Sequence, residues 1–146
     1  MLKFLAIWYL EAMKYETKVR KEHIDSLGHM NHAQYLEMFE AARWATLEEY
    51  ELRGMTLTKY LMEHLKYGPV ILNANISYKK ELILDEKVFI TTKYSEGRRS
   101  FLLSIYQEMF NEKNELAAVG EYVMSFMDLR ERKVVKLPDE IKSLIY

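Results

Sequence analysis

The chain has 146 residues, and we expect a single domain over residues 1–146. It contains no cysteine, which excludes disulfides, thiolate metal sites and a cysteine nucleophile and fits a cytoplasmic location. Lys and Arg number 21 against 22 for Asp and Glu, so the formal net charge is −1. That balance lacks the basic excess of a general nucleic-acid-binding protein.

An apolar run from Phe4 to Leu10 lies within the first 12 residues. It is too short to span a membrane and lacks the small-residue cleavage site of a signal peptide. Two interpretations stay open. Residues 1–12 are a short leader that packs on the domain or on a partner subunit, or translation begins at Met13 and the start is misassigned.

The next part of the chain predicts a strand and then one long buried helix. Charged and apolar side chains alternate over 14–24, as in a strand with one solvent-exposed face. Asn31 and Gln34 then have the spacing of a capping box. Apolar residues occupy most faces of a helix predicted over 31–53, with Gly54 as its C-cap.

The second half of the chain changes to the two-residue period of β-strands. Apolar and polar residues alternate from Leu72 to Tyr78, which predicts a half-buried strand. The predicted elements are a short helix over 56–66, strands over 70–80, 87–95, 100–110 and 115–129, and a short helix that begins at Pro138. We expect an α+β fold in which about five antiparallel strands, the last four in a meander, wrap around the one long helix.

Polar residues crowd the loop before the long helix. Asp25 precedes a helix start whose free backbone N–H groups, near His32, can stabilise an oxyanion. A carboxylate beside them can activate water or attack a carbonyl directly. Gly28 allows positive φ and a close approach of substrate, and His29 and His32 can hold a water or transfer a proton. This residue set suits acyl transfer to water and requires no metal.

Plainer interpretations of the same loop stay open. An Asp before a helix is most often a cap, and a loop histidine is most often polar surface. His29 and His32 with only Asp25 nearby form a weak metal-ligand set, so no metal is predicted. Ser26 lacks the G-x-S-x-G elbow of a nucleophilic serine, and the chain has no glycine-rich phosphate loop.

The segment Asp25-x-x-Gly28-His29-Met30-Asn31-His32-x-x-Tyr35, followed by Phe39-Glu40-Ala41-Ala42-Arg43, resembles the acyl-CoA thioesterases of the 4-hydroxybenzoyl-CoA thioesterase type. These enzymes have the hot-dog fold, in which an antiparallel sheet wraps a central helix. The specific motif covers about 20 residues, and a looser similarity of element order extends over 14–129. The resemblance implies hydrolysis of acyl-CoA without a cofactor.

The resemblance also implies roles for individual residues. Asp25 matches the catalytic carboxylate, as general base or nucleophile, and the backbone N–H at or next to His32 matches the donor to the thioester carbonyl. Gly28 and Asn31 match residues that shape the turn. One subgroup carries histidine at the position of His29 and another at that of His32; this chain has both. A further branch uses a carboxylate of the central helix, for which Glu40 is the candidate, although Glu40 and Arg43 have the spacing of a structural ion pair.

Substrate contacts follow as expectations from the same resemblance. The candidates to line the acyl tunnel are Met30, Tyr35, Met38, Phe39, Met55 and Met62, with Asn31 also at the substrate. The candidates for the CoA phosphates are Lys79, Lys80, Arg98 and Arg99, and additionally Arg130, Arg132 and Lys133. We expect a homodimer or homotetramer with each site between subunits, Asp25 of one chain facing 31–53 or 70–80 of the other. Two other functions stay open: a non-catalytic acyl-thioester-binding module and a hot-dog hydratase or dehydratase.

Overall fold

The structure of the chain is a computed structural model that describes residues 14–146. The predicted leader over 1–12 and the alternative start at Met13 lie outside these residues. The elements in chain order are β1 (Lys14–Lys18), a 3-10 turn (Lys21–His23), α1 (His32–Glu48), β2 (Glu51–Leu52), β3 (Met55–Thr56), α2 (Leu57–Lys59) continued by a π-helical segment (Tyr60–Leu65), β4 (Tyr67–Tyr78), β5 (Lys87–Glu96), β6 (Leu103–Asn111), β7 (Leu116–Asp128), β8 (Lys133–Val135) and α3 (Asp139–Ile145). No helix among the described residues is long and apolar enough to cross a membrane.

The main sheet has six strands, in the order β1-β5-β6-β7-β4, with the three-residue β8 added on β7. β1 and β5 are antiparallel, and Thr17 lies opposite Val88. The predicted meander is wrong for β4. Because β5 takes β1 as its outer neighbour, β4 pairs with β7 instead, and only β5, β6 and β7 follow one another as a meander.

The described residues form two compact units. The first unit consists of 14–43, 76–92 and 107–120. Its buried apolar side chains are Val19, Met30, Tyr35, Met38, Phe39, Ala42, Leu82, Val88, Ile90, Met109, Ala117 and Ala118. They come from the first part of α1, from β5 to β7 and from the loops between them, so the start of α1 belongs to the core of this unit.

Gln107 of β6 holds the first part of α1 in place within that unit. Its side chain is fully buried. Its Nε2 donates to the carbonyl oxygen of Phe39 at 3.0 Å and to Oγ1 of Thr92 at 2.8 Å. Its Oε1 accepts from Nη1 of Arg43 at 2.9 Å. A polar side chain is stable at this depth because both ends of its amide have partners.

The second unit consists of 44–75, 93–106 and 121–146. Its buried apolar side chains are Leu47, Leu57, Tyr60, Leu61, Tyr94, Leu103, Ile105, Tyr122, Met124, Phe126, Leu137, Ile141 and Ile145. The predicted short helix over 56–66 corresponds to α2 and the π-helical segment. The C-terminal helix begins after Pro138, as predicted, with two acidic residues in its first turn.

The long helix ends earlier than predicted, at Glu48 rather than at residue 53. A two-stranded hairpin follows it, in which Leu52 pairs with Met55. The two residues between them, Arg53 and Gly54, have φ of 53° and 77°. Two consecutive residues with positive φ are typical of a type I′ hairpin turn. Gly54 therefore forms this turn and is not the helix C-cap.

Two strands also differ from their predicted extent or burial. β1 ends at Lys18, because a 3-10 turn follows it where strand was predicted up to residue 24. In β4 the predicted inner face is exposed: Leu72 is 52% and Tyr78 is 48% accessible. β4 is the last strand of the sheet, so it has a neighbouring strand, β7, along one edge and none along the other.

Candidate active site

The loop that carries Asp25 is held by hydrogen bonds among its own residues. The Asp25 amide donates to the His29 carbonyl at 3.1 Å, and the Gly28 amide donates to the Asp25 carbonyl at 3.1 Å. Oδ1 of Asp25 accepts from the Leu27 amide at 2.8 Å. Gly28 has a φ of 82°, and a Cβ there would meet nothing within 4 Å. Glycine is therefore favoured at this position by its φ and not by lack of space.

The start of α1 lies directly after this loop and is capped by Asn31. Its Oδ1 accepts from the Ala33 amide at 2.9 Å and its carbonyl from the Gln34 amide at 3.0 Å. The capping box is incomplete, because the Asn31 amide donates to the His23 carbonyl at 2.9 Å and not to the Gln34 side chain. The His32 amide donates to no acceptor within the described part of the chain. One helix-start donor is therefore available.

A cavity of about 360 Å³ opens at this point, entirely within the first unit. It is lined by Asp25, Leu27, His29, Met30, His32, Tyr35, Tyr78, Lys79, Lys80 and Glu81. The structure thus brings together seven of the predicted site residues: the carboxylate, both histidines, Met30, Tyr35 and the two lysines. Gly28 and Asn31 shape the loop and the helix cap behind them.

His29 lies between two carboxylates in this cavity. Its Nδ1 is 3.2 Å from Oε2 of Glu81, which is hydrogen-bond distance. Its Nε2 is 3.9 Å from Oδ2 of Asp25, which is too far for a direct hydrogen bond. The Asp25 side chain is 23% exposed and that of His29 is 34% exposed, so both remain open to solvent and substrate.

Two tyrosines form one wall of the cavity. The rings of Tyr35 and Tyr78 contact edge to face, with centroids 5.0 Å apart. The Tyr35 hydroxyl donates to the Lys80 carbonyl and the Tyr78 hydroxyl to the His32 carbonyl, both at 3.3 Å. Burial raises the pKa of Tyr35 above its usual value, which keeps its hydroxyl protonated as a donor. These bonds join the end of β4 to the start of α1 around the cavity.

Other predicted site residues lie elsewhere. Phe39 is fully buried and does not line this cavity, and Met38 is also buried. Arg98 lines a separate cavity of about 530 Å³ within the second unit, and Arg99 lines neither of these two cavities. Met55 and Met62 also belong to the second unit. Lys80 forms an ion pair with Glu115.

The central-helix alternative places its carboxylate away from the cavity. Glu40 is exposed on α1 and is absent from the cavity wall. Arg43, its predicted partner, donates to the buried Gln107. The described residues contain no group of three or more His, Cys, Asp or Glu side chains placed to hold a metal ion.

A family model described as the thioesterase-like superfamily matches residues 19–145. The chain belongs to the thioesterase-like superfamily. The long-chain acyl-CoA thioesterase FadM of Escherichia coli K12 is 29% identical to it over 134 residues, covering 89% of this chain and 94% of FadM. The acyl-CoA thioesterase YbgC of Haemophilus influenzae is 26% identical over 133 residues, covering 90% and 93% of the two chains.

Solved structures of thioesterases have the same fold. The probable thioesterase YbaW of Escherichia coli has a TM-score of 0.78 at 24% identity, covering 92% of this chain and 99% of YbaW. The DHNA-CoA thioesterase of Staphylococcus aureus has a TM-score of 0.73 at 26% identity, covering 85% and 79% of the two chains. The predicted family, the α+β hot-dog fold and the thioesterase class of enzyme are confirmed.

Three cavity residues of this thioesterase-like chain were not predicted from the sequence: Leu27, Tyr78 and Glu81. The two-residue period places Tyr78 on the inner face of its strand and gives no sign of a cavity there. Glu81 lies among charged residues, a pattern typical of a solvent-exposed surface. It is 52 positions from His29, and no local pattern joins residues so far apart.

Proposed function

We propose that this chain hydrolyses acyl-CoA thioesters, with Asp25 as general base and the His32 amide as the oxyanion donor. One observation carries the proposal: the Asp25 carboxylate and the start of α1 line the same cavity. A thioester carbonyl in that cavity has a base on one side and a helix-start donor on the other. This is the arrangement that hydrolysis by water requires.

The proposed reaction proceeds in two steps. Asp25 removes a proton from water as the water oxygen bonds to the thioester carbonyl carbon. The carbonyl oxygen takes the negative charge and accepts from the His32 amide, whose partial positive charge stabilises it. The tetrahedral intermediate then collapses, the carbon–sulfur bond breaks, and the sulfur leaves as thiolate. The proton held by Asp25 returns to the sulfur, giving free acid and CoA.

The two oxygens of Asp25 have different surroundings, and this favours a base over a nucleophile. Oδ1 accepts from the Leu27 amide at 2.8 Å, which fixes the carboxylate plane. Oδ2 faces Nε2 of His29 across 3.9 Å, a gap that one water can bridge. Hydrolysis in ¹⁸O-labelled water tests this assignment. Label recovered in the Asp25 carboxylate would show an acyl-aspartyl anhydride and overturn it.

The names of the relatives support acyl-CoA as the substrate. FadM is a long-chain acyl-CoA thioesterase and YbgC an acyl-CoA thioesterase. In our proposal Met30 and Tyr35 contact the acyl group, Asn31 and Phe39 support them from behind, and Lys79 holds CoA phosphates at the exposed rim, where Lys80 joins it by exchanging its ion pair with Glu115 for a phosphate. Lysine acts at such a rim as a mobile point charge. Arg98 and Arg99 belong to the second unit and are not part of this proposed rim.

A homodimer or homotetramer with the site between subunits, in the cytoplasm, is also part of the proposal. The exposed apolar side chains Leu72 and Tyr78 on edge strand β4 support it, because an unpaired apolar edge favours pairing with another chain. Light scattering coupled to gel filtration tests it, and a monomer at working concentrations would contradict it.

The first experiment is thiol release from a panel of acyl-CoAs of different chain length, measured with an aromatic thiol reagent. We expect Asp25→Asn to lower kcat by about a hundredfold or more, because the amide cannot accept the proton. Asp85→Asn is the matched control. Asp85 is exposed in a turn at a φ of 69°, which asparagine tolerates, and it lies outside the cavity.

The alternatives give different results in this experiment. Binding of acyl-CoA without thiol release would favour the non-catalytic module. A change of absorbance at a 2-enoyl thioester without thiol release would favour the hydratase. Equal activity of Asp25→Asn and wild type would refute the role of Asp25.

A further inference from the structure

We infer that Glu81 is a positioning residue for His29: it fixes the imidazole tautomer so that Nε2 accepts a hydrogen bond from the attacking water. This inference rests on the proposed function. It starts from the 3.2 Å distance between Nδ1 of His29 and Oε2 of Glu81. An ionised carboxylate has no hydrogen to donate. The hydrogen in this bond therefore belongs to Nδ1.

The tautomer decides what the other ring nitrogen can do. In a neutral imidazole with a hydrogen on Nδ1, Nε2 carries a lone pair and can only accept. Nε2 faces Oδ2 of Asp25 across 3.9 Å, and that oxygen is also an acceptor. Two acceptors do not bond each other, and the pair is open to a donor with two hydrogens.

One water molecule satisfies both acceptors. Its two O–H groups, each in a hydrogen bond of about 2.8 Å, span about 4 to 4.5 Å between acceptors. The distance from Nε2 to Oδ2 lies close to this span. A water held in this way has both hydrogens engaged, and its lone pairs are free to attack a carbonyl carbon. The proton then passes to Asp25, and His29 keeps its hydrogen bond to Glu81.

Without Glu81 the second tautomer becomes available. An imidazole with its hydrogen on Nε2 donates toward Asp25 and competes with the water for Oδ2. The other charged or titratable groups on the cavity wall are His32, Lys79 and Lys80, with the phenols Tyr35 and Tyr78. The structure shows none of them bonded to the His29 ring. Glu81 is therefore the group in the described cavity that selects the tautomer.

Removal of Glu81 is expected to affect turnover more than binding. Loss of a carboxylate that orients a metal-bound histidine costs on the order of 10- to 100-fold in activity, and Glu81 holds the His29 ring through the same type of N–H to carboxylate bond. The Glu81 side chain is 68% exposed, so water replaces part of its effect. We therefore expect the smaller loss of this range, a decrease of about tenfold in kcat. Glu81 does not lie at the acyl wall, so KM should change little. Glu81→Gln keeps an acceptor oxygen, so its kcat should lie between that of wild type and that of Glu81→Ala.

The test combines kinetics with ¹⁵N NMR of the His29 ring, whose signals are assigned by comparison with His29→Gln. We expect wild type to carry its hydrogen on Nδ1 and Glu81→Ala to shift toward Nε2. In a His29→Gln background, Glu81→Ala should cause no further loss of kcat. Glu63→Ala, at an exposed position outside the cavity, is the matched control and should match wild type in both measurements.

Two results would overturn the inference. One is an Nε2-protonated ring in wild type. The other is an unchanged tautomer with unchanged kcat in Glu81→Ala. If wild type releases no thiol from any acyl-CoA, the proposed function fails, whereas the NMR spectra still decide the tautomer. The two failures can therefore be told apart.

Discussion

Replacement of Gln107 by leucine tests whether its buried amide holds the first part of α1. Leucine has similar volume but removes the bonds to Phe39, Thr92 and Arg43. The two neutral bonds contribute about 1 kcal/mol each and the bond from Arg43 about 2 kcal/mol. The apolar surface of leucine offsets about 1 kcal/mol of this loss. We expect the free energy of unfolding to fall by about 3 kcal/mol.

Thermal and urea unfolding followed by circular dichroism, at one protein concentration, measure this change. A loss of about 3 kcal/mol should lower Tm by about 10 °C for a chain of this size. Glu108→Leu, at the next position of β6, is the matched control and should stay within about 0.5 kcal/mol of wild type. If Gln107→Leu is as stable as wild type, the amide is not what fixes the helix. A double-mutant cycle of Gln107→Leu with Arg43→Met then gives the coupling energy of the Arg43 bond.

Two further predictions concern stability in the second unit. In Gly97→Ala the new Cβ would lie 2.6 Å from the backbone of Leu102, so the loop must move. The free energy of unfolding should therefore fall by more than about 1 kcal/mol. Urea unfolding measures this loss, with Ser95→Ala as the control variant. The side chain of Arg130 and the backbone amide of Glu131 lower the pKa of Asp128 from 3.8 to about 2. The folded state therefore holds this proton less tightly than the unfolded state, and its contribution to stability is complete above about pH 4 and lost as pH falls toward about 2. Asp128→Asn should flatten the pH dependence of stability in this range, and an unchanged profile would contradict the pairing.

The sequence predicted those features that depend on local patterns. The positive φ of Gly28, the cap at Asn31 and the strands β5 to β7 each follow from a few neighbouring residues. The sequence does not reveal the end of α1, because Gly54 fits a helix C-cap as well as a hairpin turn, and only the pairing of Leu52 with Met55 distinguishes them.

The rest depends on contacts distant in sequence. The alternation in β4 is the same whether the strand lies inside the sheet or at its edge, so its exposed Leu72 could not be predicted. The approach of Glu81 to His29 likewise depends on how the end of β4 meets the helix start. Membership of a family supplies the architecture, but not those side chains that differ from one member to the next.

The self-contained bonding of the Asp25 loop has a consequence for how such enzymes diversify. The carboxylate is oriented by the Leu27 amide, two residues away, whereas the facing wall at residues 78–81 comes from a different part of the chain. Substitutions at Tyr78, whose ring packs edge to face on Tyr35, can change the acyl group accepted while the carboxylate keeps its orientation. Saturation mutagenesis of Tyr78 should therefore yield altered substrate preference at a higher frequency than it yields inactive protein.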